Sequence, residues 1–250
     1  LKEGVTSIGE SAFQGCISLE NVTLPDSITK LDMGAFAGCE SLSSIKIPSG
    51  VSEISDWLFA GCTNLKKVSI GGNITYIGYD AFLECCSLSA LVIPNTVTTI
   101  GESAFRSSGL VTIKIPDSVI SIGCNAFESC ENLSSITIGH GVKNIGSEAF
   151  YNTAYYLNES NWTENVLYIG NYLIKAEIYG INYSYKIKNG TKAIADYAFS
   201  YCYFANVEIP DGVVAIGEGA FAYCADLAKI TIPSSVTNIK EYAFDDCESL

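Results

Sequence analysis

The chain has 250 residues, and its 27 Asp and Glu outnumber its 14 Lys and Arg, which gives a net charge of −13 at pH 7. Such a charge argues against nucleic acid and against anionic membrane surfaces as partners, because both repel a polyanion. No apolar run approaches the roughly 20 residues of a membrane-spanning helix, so we expect no direct membrane insertion.

The first element along the chain, Val5 to Pro25, is one copy of a repeat that accounts for most of the sequence. Its Phe recurs at steps of 22 or 23 residues, with a single step of 49. The members of this Phe column are Phe13, Phe36, Phe59, Phe82, Phe105, Phe127, Phe150, Phe199, Phe221 and Phe244. A fixed period of about 20–29 residues is typical of a leucine-rich-repeat solenoid.

Each copy carries the pattern of a strand that needs its neighbours. An Ile or Leu stands five residues before the Phe, and an apolar-x-apolar-Pro run such as Val22 to Pro25 follows it. Apolar residues two apart, rich in Val and Ile, predict a half-buried strand. Because one such strand cannot bury its own inward face, the copies must stack into a continuous core. We therefore predict a mainly β, right-handed solenoid of about ten coils over residues 1–250.

A short helical turn is predicted at each Phe. The acidic residues that stand three positions before it are Glu10, Asp56, Glu102, Asp196, Glu218 and Glu241. A carboxylate is favourable in the first turn of a helix because it meets the positive end of the helix dipole. Each coil is thus expected to hold a strand, a turn, a second extended piece and this helical turn.

The repeat is interrupted between Phe150 and Phe199. The step of 49 residues equals one period of 23 plus 26 extra residues, which we place at residues 157–182. Within them, Val166 to Ile169 and Tyr172 to Lys175 read as two strands joined by a two-residue Gly-Asn turn. The sequence predicts an aromatic-rich β-hairpin inserted in a single solenoid domain. Both chain ends fall inside a repeat, as in a fragment of a longer protein.

The string I-P-x-x-V-x-x-I-G-x-x-A-F-x-x-C-x-x-L, complete at Ile115 to Leu133, resembles the BspA-like leucine-rich repeat family. The resemblance covers almost the whole chain outside the insertion. The sequence departs from the family pattern at Ser108, Thr153 and Tyr156, which stand at Cys or Leu positions. The resemblance implies a secreted or surface-displayed bacterial protein that binds host proteins or other cells, and it brings no catalytic residues.

Eight of the 10 Cys stand three residues after the Phe and form a second column. Stacked coils would place successive Cα atoms near 5 Å apart, within disulfide range. A large core nevertheless favours free buried thiols that behave as small hydrophobes, with disulfides or a metal site as alternatives. Cys124 lies outside the column, in a slot that other copies fill with an exposed acid, and it is predicted to be the most accessible thiol.

Little in the sequence points to catalysis or to a cofactor. His140 is the only His, so neither a His-based triad nor a His-rich metal site can be built. Gly217 to Ala222 matches a loose dinucleotide-binding pattern, but this is the repeat's own slot before the Phe. We expect no catalytic residues, no metal and no cofactor.

The outward positions of the strands form the first candidate binding surface. They are mostly small or hydroxylated, with Lys46, Lys67, Lys114 and Lys229 among them, so the face is mildly basic on an acidic protein. No aromatic anchor is present, although interface hot spots favour Trp, Tyr and Arg. A plain solvated sheet face is the alternative interpretation.

The insertion region supplies the aromatic residues that the strand face lacks, with 8 of the 15 Tyr between Tyr151 and Tyr185. Tyr and Trp offer a large contact area at low ordering cost. The candidate ligand-binding residues here are Tyr155, Tyr156, Trp162, Tyr168 and Tyr172. The alternative is that these rings cover the solenoid flank. The binding hypothesis predicts that deleting Ser160 to Lys175 leaves the melting transition nearly unchanged.

Three functions remain open at this point. The favoured one is a non-enzymatic adhesion or protein-interaction module, extracellular or on the cell surface, whose partner is a host or microbial surface protein. The Trp and Tyr cluster favours a second reading, a carbohydrate-binding accessory module with a glycan partner. A purely structural surface stalk is the third. Paired carboxylates in a cleft would favour an enzyme, but the acids here lie in a repeating column.

Overall fold

The computed structural model describes residues 1–180 and 183–250, so the predicted end of the insertion at Asn182 lies outside the described residues. These residues form two compact units. Unit 1 comprises Leu1–Val142 and Glu148–Leu157, and unit 2 comprises Lys143–Ser147 and Asn158–Leu250. Short strands dominate both units, and the predicted β-solenoid of about ten coils is confirmed.

The strands fall into two groups by length: some have two residues, and the others have three to five. Those of unit 1 are β1 (Ser7–Ile8), β2 (Lys30–Leu31), β3 (Ser44–Lys46), β4 (Glu53–Ile54), β5 (Lys67–Ser69), β6 (Tyr76–Ile77), β7 (Thr99–Ile100), β8 (Thr112–Ile115), β9 (Ser121–Ile122) and β10 (Ser135–Ile138), followed by the helix α1 (Ala154–Leu157). Those of unit 2 are β11 (Asn144–Ile145), a 3₁₀ turn (Glu159–Asn161), β12 (Trp162–Thr163), β13 (Val166–Ile169), β14 (Tyr172–Ala176), β15 (Ser184–Lys186), β16 (Ala193–Ile194), β17 (Asn206–Glu208), β18 (Ala215–Ile216), β19 (Lys229–Thr231) and β20 (Asn238–Ile239).

Two kinds of parallel ladder join the coils of unit 1. The two-residue strands carry the Ile that precedes the Phe by five residues, and β4, β6, β7 and β9 pair in that order with these Ile in register. The longer strands are the apolar-x-apolar runs, where β3 pairs with β5 and β8 with β10. The second extended piece expected from the sequence is therefore also a paired strand.

The segment around each Phe, predicted as a short helical turn, is instead a hydrogen-bonded turn without helix. The residues two before and two after the Phe have positive φ, as at Ser103 (52°) and Ser107 (55°) around Phe105. Such left-handed residues interrupt a right-handed helix. The Phe105 N–H then donates to the Ala126 carbonyl of the next coil at 2.8 Å. The turns are thus joined from coil to coil by their own backbone hydrogen bonds.

The acids before the Phe act differently from the prediction. Asp56 Oδ1 accepts the Tyr79 N–H of the next coil at 2.8 Å, and Asp196 Oδ1 accepts the Glu218 N–H at the same distance. These carboxylates accept hydrogen bonds from backbone N–H groups of a neighbouring coil. They do not meet a helix dipole, because the turn contains no helix. Burial raises the pKa of the Asp196 carboxyl, and the Lys240 ammonium, 3.0 Å away, opposes that rise.

The Phe column forms a stacked core, as predicted. In unit 1 the rings from Phe13 to Phe150 stack in sequence, with neighbouring centroids 5.1–6.0 Å apart and ring planes within 24°. In unit 2, Phe199, Phe221 and Phe244 stack at 5.0 and 5.4 Å. The rings inside each stack are fully buried, whereas Phe13 and Phe244 are half-buried.

We predict that Phe82→Ala lowers the free energy of unfolding by about 3–5 kcal/mol, because it leaves a cavity between two stacked rings. Phe13→Ala is the matched control and should have a clearly smaller effect, since this ring is half-buried. Urea denaturation of both variants measures the difference. Equal losses would contradict the stacked core.

The Cys column satisfies the carbonyls of the Phe column. The Cys62 thiol donates to the Phe36 carbonyl of the preceding coil at 3.1 Å. That carbonyl also accepts the Cys39 N–H of its own coil at 3.2 Å. Both acceptor sites of the carbonyl are therefore used. The cysteines are free thiols, and burial raises the pKa of the Cys62 thiol to about 12.

The expectation that Cys124 is the most accessible thiol is wrong. Cys16 and Cys86 are exposed, whereas Cys124 is half-buried. Cys124 lies in the turn, where its carbonyl accepts the Ser103 N–H of the preceding coil at 2.8 Å. Its slot is held close to the neighbouring coil, so a residue there is less exposed than the acids in other copies led us to expect.

We predict two rapidly labelled thiols, Cys16 and Cys86, in the folded protein under an aromatic disulfide reagent at pH 8. The buried thiols of the column, such as Cys62 and Cys85, should react only as the protein unfolds, because burial both blocks access and raises the pKa of these thiols. Replacing Cys16 and Cys86 with Ser should remove the fast phase. A fast phase that persists in this double variant would refute the assignment.

The predicted hairpin is present, but it is part of the solenoid sheet. β13 and β14 pair antiparallel across Gly170 and Asn171, with Ile169 opposite Tyr172. β14 then pairs in parallel with β16, so that Leu173 lies beside Ile194. One sheet of unit 2 runs in the order β12-β13-β14-β16-β18-β20. Strand β14 of the hairpin therefore takes the position in the sheet that a two-residue strand takes in each of the following coils.

Repeat-type bonding in unit 2 already begins within residues 157–182, which the sequence pattern assigned to the insertion. The Cys202 thiol donates to the Ala176 carbonyl, as other thiols of the column donate to a Phe carbonyl. Ala176 thus holds the place of a Phe but has no ring to stack on Phe199. The rings of Tyr185 and Phe204 contact Phe199 instead, at 5.8 and 5.6 Å between centroids. This accounts for Phe204, the Phe outside the column.

Because β13 and β14 are buried and paired, we no longer expect the deletion of Ser160–Lys175 to leave melting unchanged. Leu173→Ala should lower the free energy of unfolding by about 2–5 kcal/mol, as for other fully buried Leu. Thr163→Ala, on the exposed face of β12, is the control and should have little effect. A Leu173→Ala variant as stable as this control would show that the hairpin is a dispensable attachment.

Candidate functional site: the strand faces and the hairpin

The outward positions of the longer strands lie where the period-2 pattern predicts. Burial alternates along β3, with Lys46 exposed, and along β8, where Lys114 is exposed between two buried Ile. Lys67 of β5 is also exposed and pairs in register with Ser44. The three predicted lysines of unit 1 therefore lie on the solvent side of the strand face.

A groove of about 990 Å³ lies on this face and brings two of the predicted lysines together. Its lining residues are Lys66, Lys67, Val68, Ser69, Ile70, Gly72, Ser89, Ala90, Leu91, Val92, Ile93, Pro94, Asn95, Thr112, Lys114 and Pro116. Three of these carry a positive charge, and none is Asp or Glu. Lys46 lies outside the groove, where it forms an exposed ion pair with Asp26 at 3.7 Å.

The groove coincides with a break in the strand ladder. Residues 90–93 lie between β5 and β8 but pair with neither, although Leu91 and Ile93 point into the core. The last coil-to-coil bond before them joins the Val111 N–H to the Ser89 carbonyl at 3.0 Å. Val92, on the outer side, is 85% exposed. The groove floor is therefore an extended segment whose side chains alternate as in a strand but whose backbone has left the ladder.

The break lies beside the shortened step of 22 residues between Phe105 and Phe127. Gly109 of that step approaches the preceding coil so closely that a Cβ there would be 2.0 Å from the Cys86 carbonyl oxygen. Only a glycine fits at this contact. The shortened coil thus changes the spacing at the base of the strand face, next to the point where pairing stops.

The lysines of the groove have no carboxylate partner within ion-pair distance in the part of the chain that the structure describes. Lys66, Lys67 and Lys114 are therefore available to a ligand of opposite charge. Sequence reasoning found Lys67 and Lys114 but missed Lys66, because Lys66 precedes the alternating positions of β5. The period-2 pattern also places Val92 on the outer face, where it is 85% exposed, but it gives no sign that residues 90–93 leave the ladder.

The strand face of unit 2 is different in charge. A smaller groove of about 310 Å³ there is lined by Ser184, Tyr185, Lys186, Asn206, Val207, Glu208, Lys229 and Thr231. Lys186 and Glu208 form an exposed ion pair at 2.7 Å, which uses one of the two cations. The predicted Lys229 lies opposite Asn206 in the ladder. Unit 2 thus presents a nearly neutral strand face.

The structure divides the predicted aromatic site between the units. Tyr155 and Tyr156 belong to α1 of unit 1, where Tyr156 packs edge-on against Tyr151 at 5.3 Å. Trp162 and Tyr168 belong to unit 2 and are half-buried.

The side chains of two hairpin tyrosines make structural contacts within the protein. Tyr172 is 1% exposed, so its prediction as a ligand-binding residue is wrong. It lies in a strand whose first three residues are all buried. The Tyr168 hydroxyl lies 3.2 Å from the Tyr185 hydroxyl and accepts the Lys188 N–H at 3.2 Å. These bonds support the view that the hairpin rings cover the solenoid.

Two searches for other kinds of site gave negative findings. Over residues 1–180 and 183–250, no group of three or more His, Cys, Asp or Glu side chains is arranged to hold a metal ion. The helices in these same ranges are all too short or too polar to cross a bilayer.

Comparison with known proteins gives a family and a set of similar folds. A family model described as a BspA type leucine rich repeat region (6 copies) matches residues 1–111, 98–189 and 175–250. No curated protein sequence matches the chain. A T. pallidum leucine rich repeat protein of known structure is 33% identical over 64% of this chain and 75% of its own, with a TM-score of 0.58.

Two further solved structures cover nearly all of the chain. A leucine-rich repeat protein from Bacteroides ovatus ATCC 8483 is 22% identical over 100% of this chain and 74% of its own, with a TM-score of 0.51, which is a likeness of fold. A leucine rich cell surface protein from Faecalibacterium prausnitzii A2-165 is 32% identical over 98% of this chain, with a TM-score of 0.41. The chain spans 62% of that protein.

Proposed function

We propose that this chain, which belongs to the BspA-type leucine-rich repeat family, is a non-enzymatic protein-interaction or adhesion module of a secreted or cell-surface protein. We place its binding site in the cationic groove of unit 1. The partner is a protein of the surroundings, host or microbial, that presents an extended acidic segment to the groove.

The charge of the groove carries the proposal. Lys66, Lys67 and Lys114 line one concavity without a carboxylate, on a protein whose net charge is −13. Lysines on such a protein would ordinarily be balanced by neighbouring acids, as Lys46 is by Asp26. Complementary charge speeds encounter and sets the register of a partner more than it adds affinity. A local reversal of sign therefore favours recognition of carboxylates.

The shape of the groove fits an extended chain. Its floor, residues 90–93, has the alternating burial of a strand, and residues of the neighbouring coils line the groove on either side of it. A groove lined in this way suits an extended peptide, whose alternate side chains point toward it. Val92, 85% exposed in the middle of the floor, offers an apolar contact to a side chain of such a segment.

The carbohydrate and stalk hypotheses have less support. The carbohydrate hypothesis depended on the hairpin rings, of which Tyr172 is buried and Tyr168 is hydrogen-bonded within unit 2. The stalk hypothesis requires no particular charge on the strand face. It gives no reason for three unbalanced lysines in one groove.

We predict that a fluorescein-labelled peptide of ten residues, alternating Glu and Val, binds the full chain with saturable fluorescence anisotropy. Lys67→Glu and Lys114→Glu should each weaken this binding at least ~10-fold, because a like charge then faces the peptide. Lys2→Glu makes the same charge change on an exposed residue outside the groove and should leave the binding unchanged.

Added NaCl should weaken the same binding, since the lysines are exposed. Absence of binding, or an equal loss in all three variants, would show that the groove is not the site. Preferential binding of a neutral oligosaccharide to the groove would favour the carbohydrate hypothesis instead.

A further inference from the structure

A second surface lies on the Phe turns of unit 2, opposite in chemistry to the cationic groove. The positions two before and two after each Phe have positive φ throughout the described coils. In unit 1 they are mostly Gly, Ser, Asn or acidic residues, with Trp57 the exception. In unit 2 four of them are tyrosines: Tyr197, Tyr201, Tyr223 and Tyr242.

Neither backbone preference nor burial explains these tyrosines. Their φ values are 54°, 62°, 60° and 56°, in a region that bulky residues rarely adopt. Tyr201, Tyr223 and Tyr242 are 58%, 39% and 61% exposed, so they contribute little to the core. Residues held in such strained geometry without a packing reason are concentrated at functional sites.

The rings are nevertheless held in place. Tyr201 and Tyr223 stack with centroids 4.7 Å apart and planes within 7°. The Tyr197 ring covers Gly219, where a Cβ would lie 2.3 Å from the ring, and its hydroxyl donates to Glu218 Oε1 at 3.0 Å. A surface ordered before binding has little conformational entropy to lose.

Carboxylates accompany the rings. Tyr201, Asp245 and Asp246 together raise the pKa of the Tyr223 hydroxyl, because their negative charges disfavour a further one. The Tyr223 N–H donates to the Asp245 backbone carbonyl at 2.8 Å, which holds the Asp245 backbone next to that of Tyr223. Two lysines near these turns are already engaged, since Lys240 pairs with Asp196 at 3.0 Å and the Lys175 ammonium donates to the Tyr197 carbonyl at 3.1 Å. The tyrosine surface is therefore aromatic and negative.

We propose that this tyrosine surface, Tyr197, Tyr201, Tyr223 and Tyr242 with Asp245 and Asp246, binds a Lys- or Arg-rich segment of a partner protein. Aromatic faces next to carboxylates suit a guanidinium or ammonium group, which gains both a cation–π contact and an ion pair. The side chains of such a segment would lie across the stacked rings with their charges toward the acids. This site shares no residue with the groove of unit 1 and has the opposite charge.

The probe is a fluorescein-labelled peptide of ten residues, alternating Arg and Ser, titrated with the full chain in fluorescence anisotropy. Tyr201→Ser combined with Tyr223→Ser should weaken its binding at least tenfold. Ser is the residue at the equivalent positions Ser107 and Ser129, both with φ of 55°, so the turns should keep their fold. The net charge is unchanged, so general attraction of the peptide to an acidic protein stays the same.

Three controls complete the experiment. Trp57→Gly removes an exposed ring of positive φ from unit 1, where Gly34 shows that the turn accepts Gly, and should leave the binding unchanged. Asp245→Asn should weaken the binding and Glu3→Gln should not, although both remove one charge. Circular dichroism melting checks that the tyrosine variant folds, and Asp245→Asn keeps the test valid if it does not.

Unchanged binding in both the tyrosine variant and Asp245→Asn would overturn the proposal. The proposal would also be overturned if the chain bound maltohexaose and not the Arg peptide, and if the tyrosine variant lost this maltohexaose binding. The Glu-Val peptide should bind all these variants as it binds the parent chain. If the chain binds only one of the two peptides, the result shows which proposal fails, the one for the tyrosine surface or the one for the cationic groove.

Discussion

The hydrogen bonds between neighbouring Phe turns are the constraint on which the rest of the structure depends. Because residues of positive φ flank each Phe, its N–H reaches the next coil while its carbonyl serves the Cys N–H of its own coil and the thiol of the following one. The bonds fix one turn directly above another. The Phe rings must then stack about 5 Å apart, and the Ile of the two-residue strands must fall into register. A small donor at the Cys position completes the set, as Cys62 and Cys85 show. The hydroxyls at this position bond differently, because Ser108 contacts the Cys130 thiol and Thr153 donates to the Phe150 carbonyl of its own coil.

The period and the core columns could be predicted because they follow from spacing alone. The form of the turn could not. An acid followed by Ala-Phe is also a good start for a helix, and the partner that decides against the helix is the carbonyl of the next coil, about 22 residues away in sequence. The hairpin shows the same limit. Its two strands and its turn are local signals, but the pairing of Leu173 with Ile194 joins segments that no local pattern connects.

The candidate site was likewise predictable from the sequence only in part. The alternation of strand residues placed Lys67 and Lys114 on the outer face correctly. It could not show that residues 90–93 leave the ladder, because their apolar pattern is that of a paired strand. Aromatic content in the hairpin was read as exposure, yet β14 is covered on both faces and buries Tyr172 with Leu173 and Ile174. Composition cannot separate a ring that binds a ligand from one that closes a core.

The exposed tyrosines follow from the same constraint that builds the core. The positive-φ positions are joined from turn to turn by their backbone N–H groups, so these bonds do not depend on which side chain stands there. These positions accept Gly, Ser, Asn and acids in unit 1 and tyrosines in unit 2, while the Phe stack keeps nearly the same spacing, 5.1–6.0 Å against 5.0–5.4 Å. The outer surface of the turns can therefore change in chemistry without a change in the core beneath it. The strand face is less free, because its outward residues alternate with core residues in a ladder that must stay paired. At residues 90–93, where that ladder breaks, the outward side chains are no longer constrained by strand pairing, and the three lysines of the groove lie beside this break.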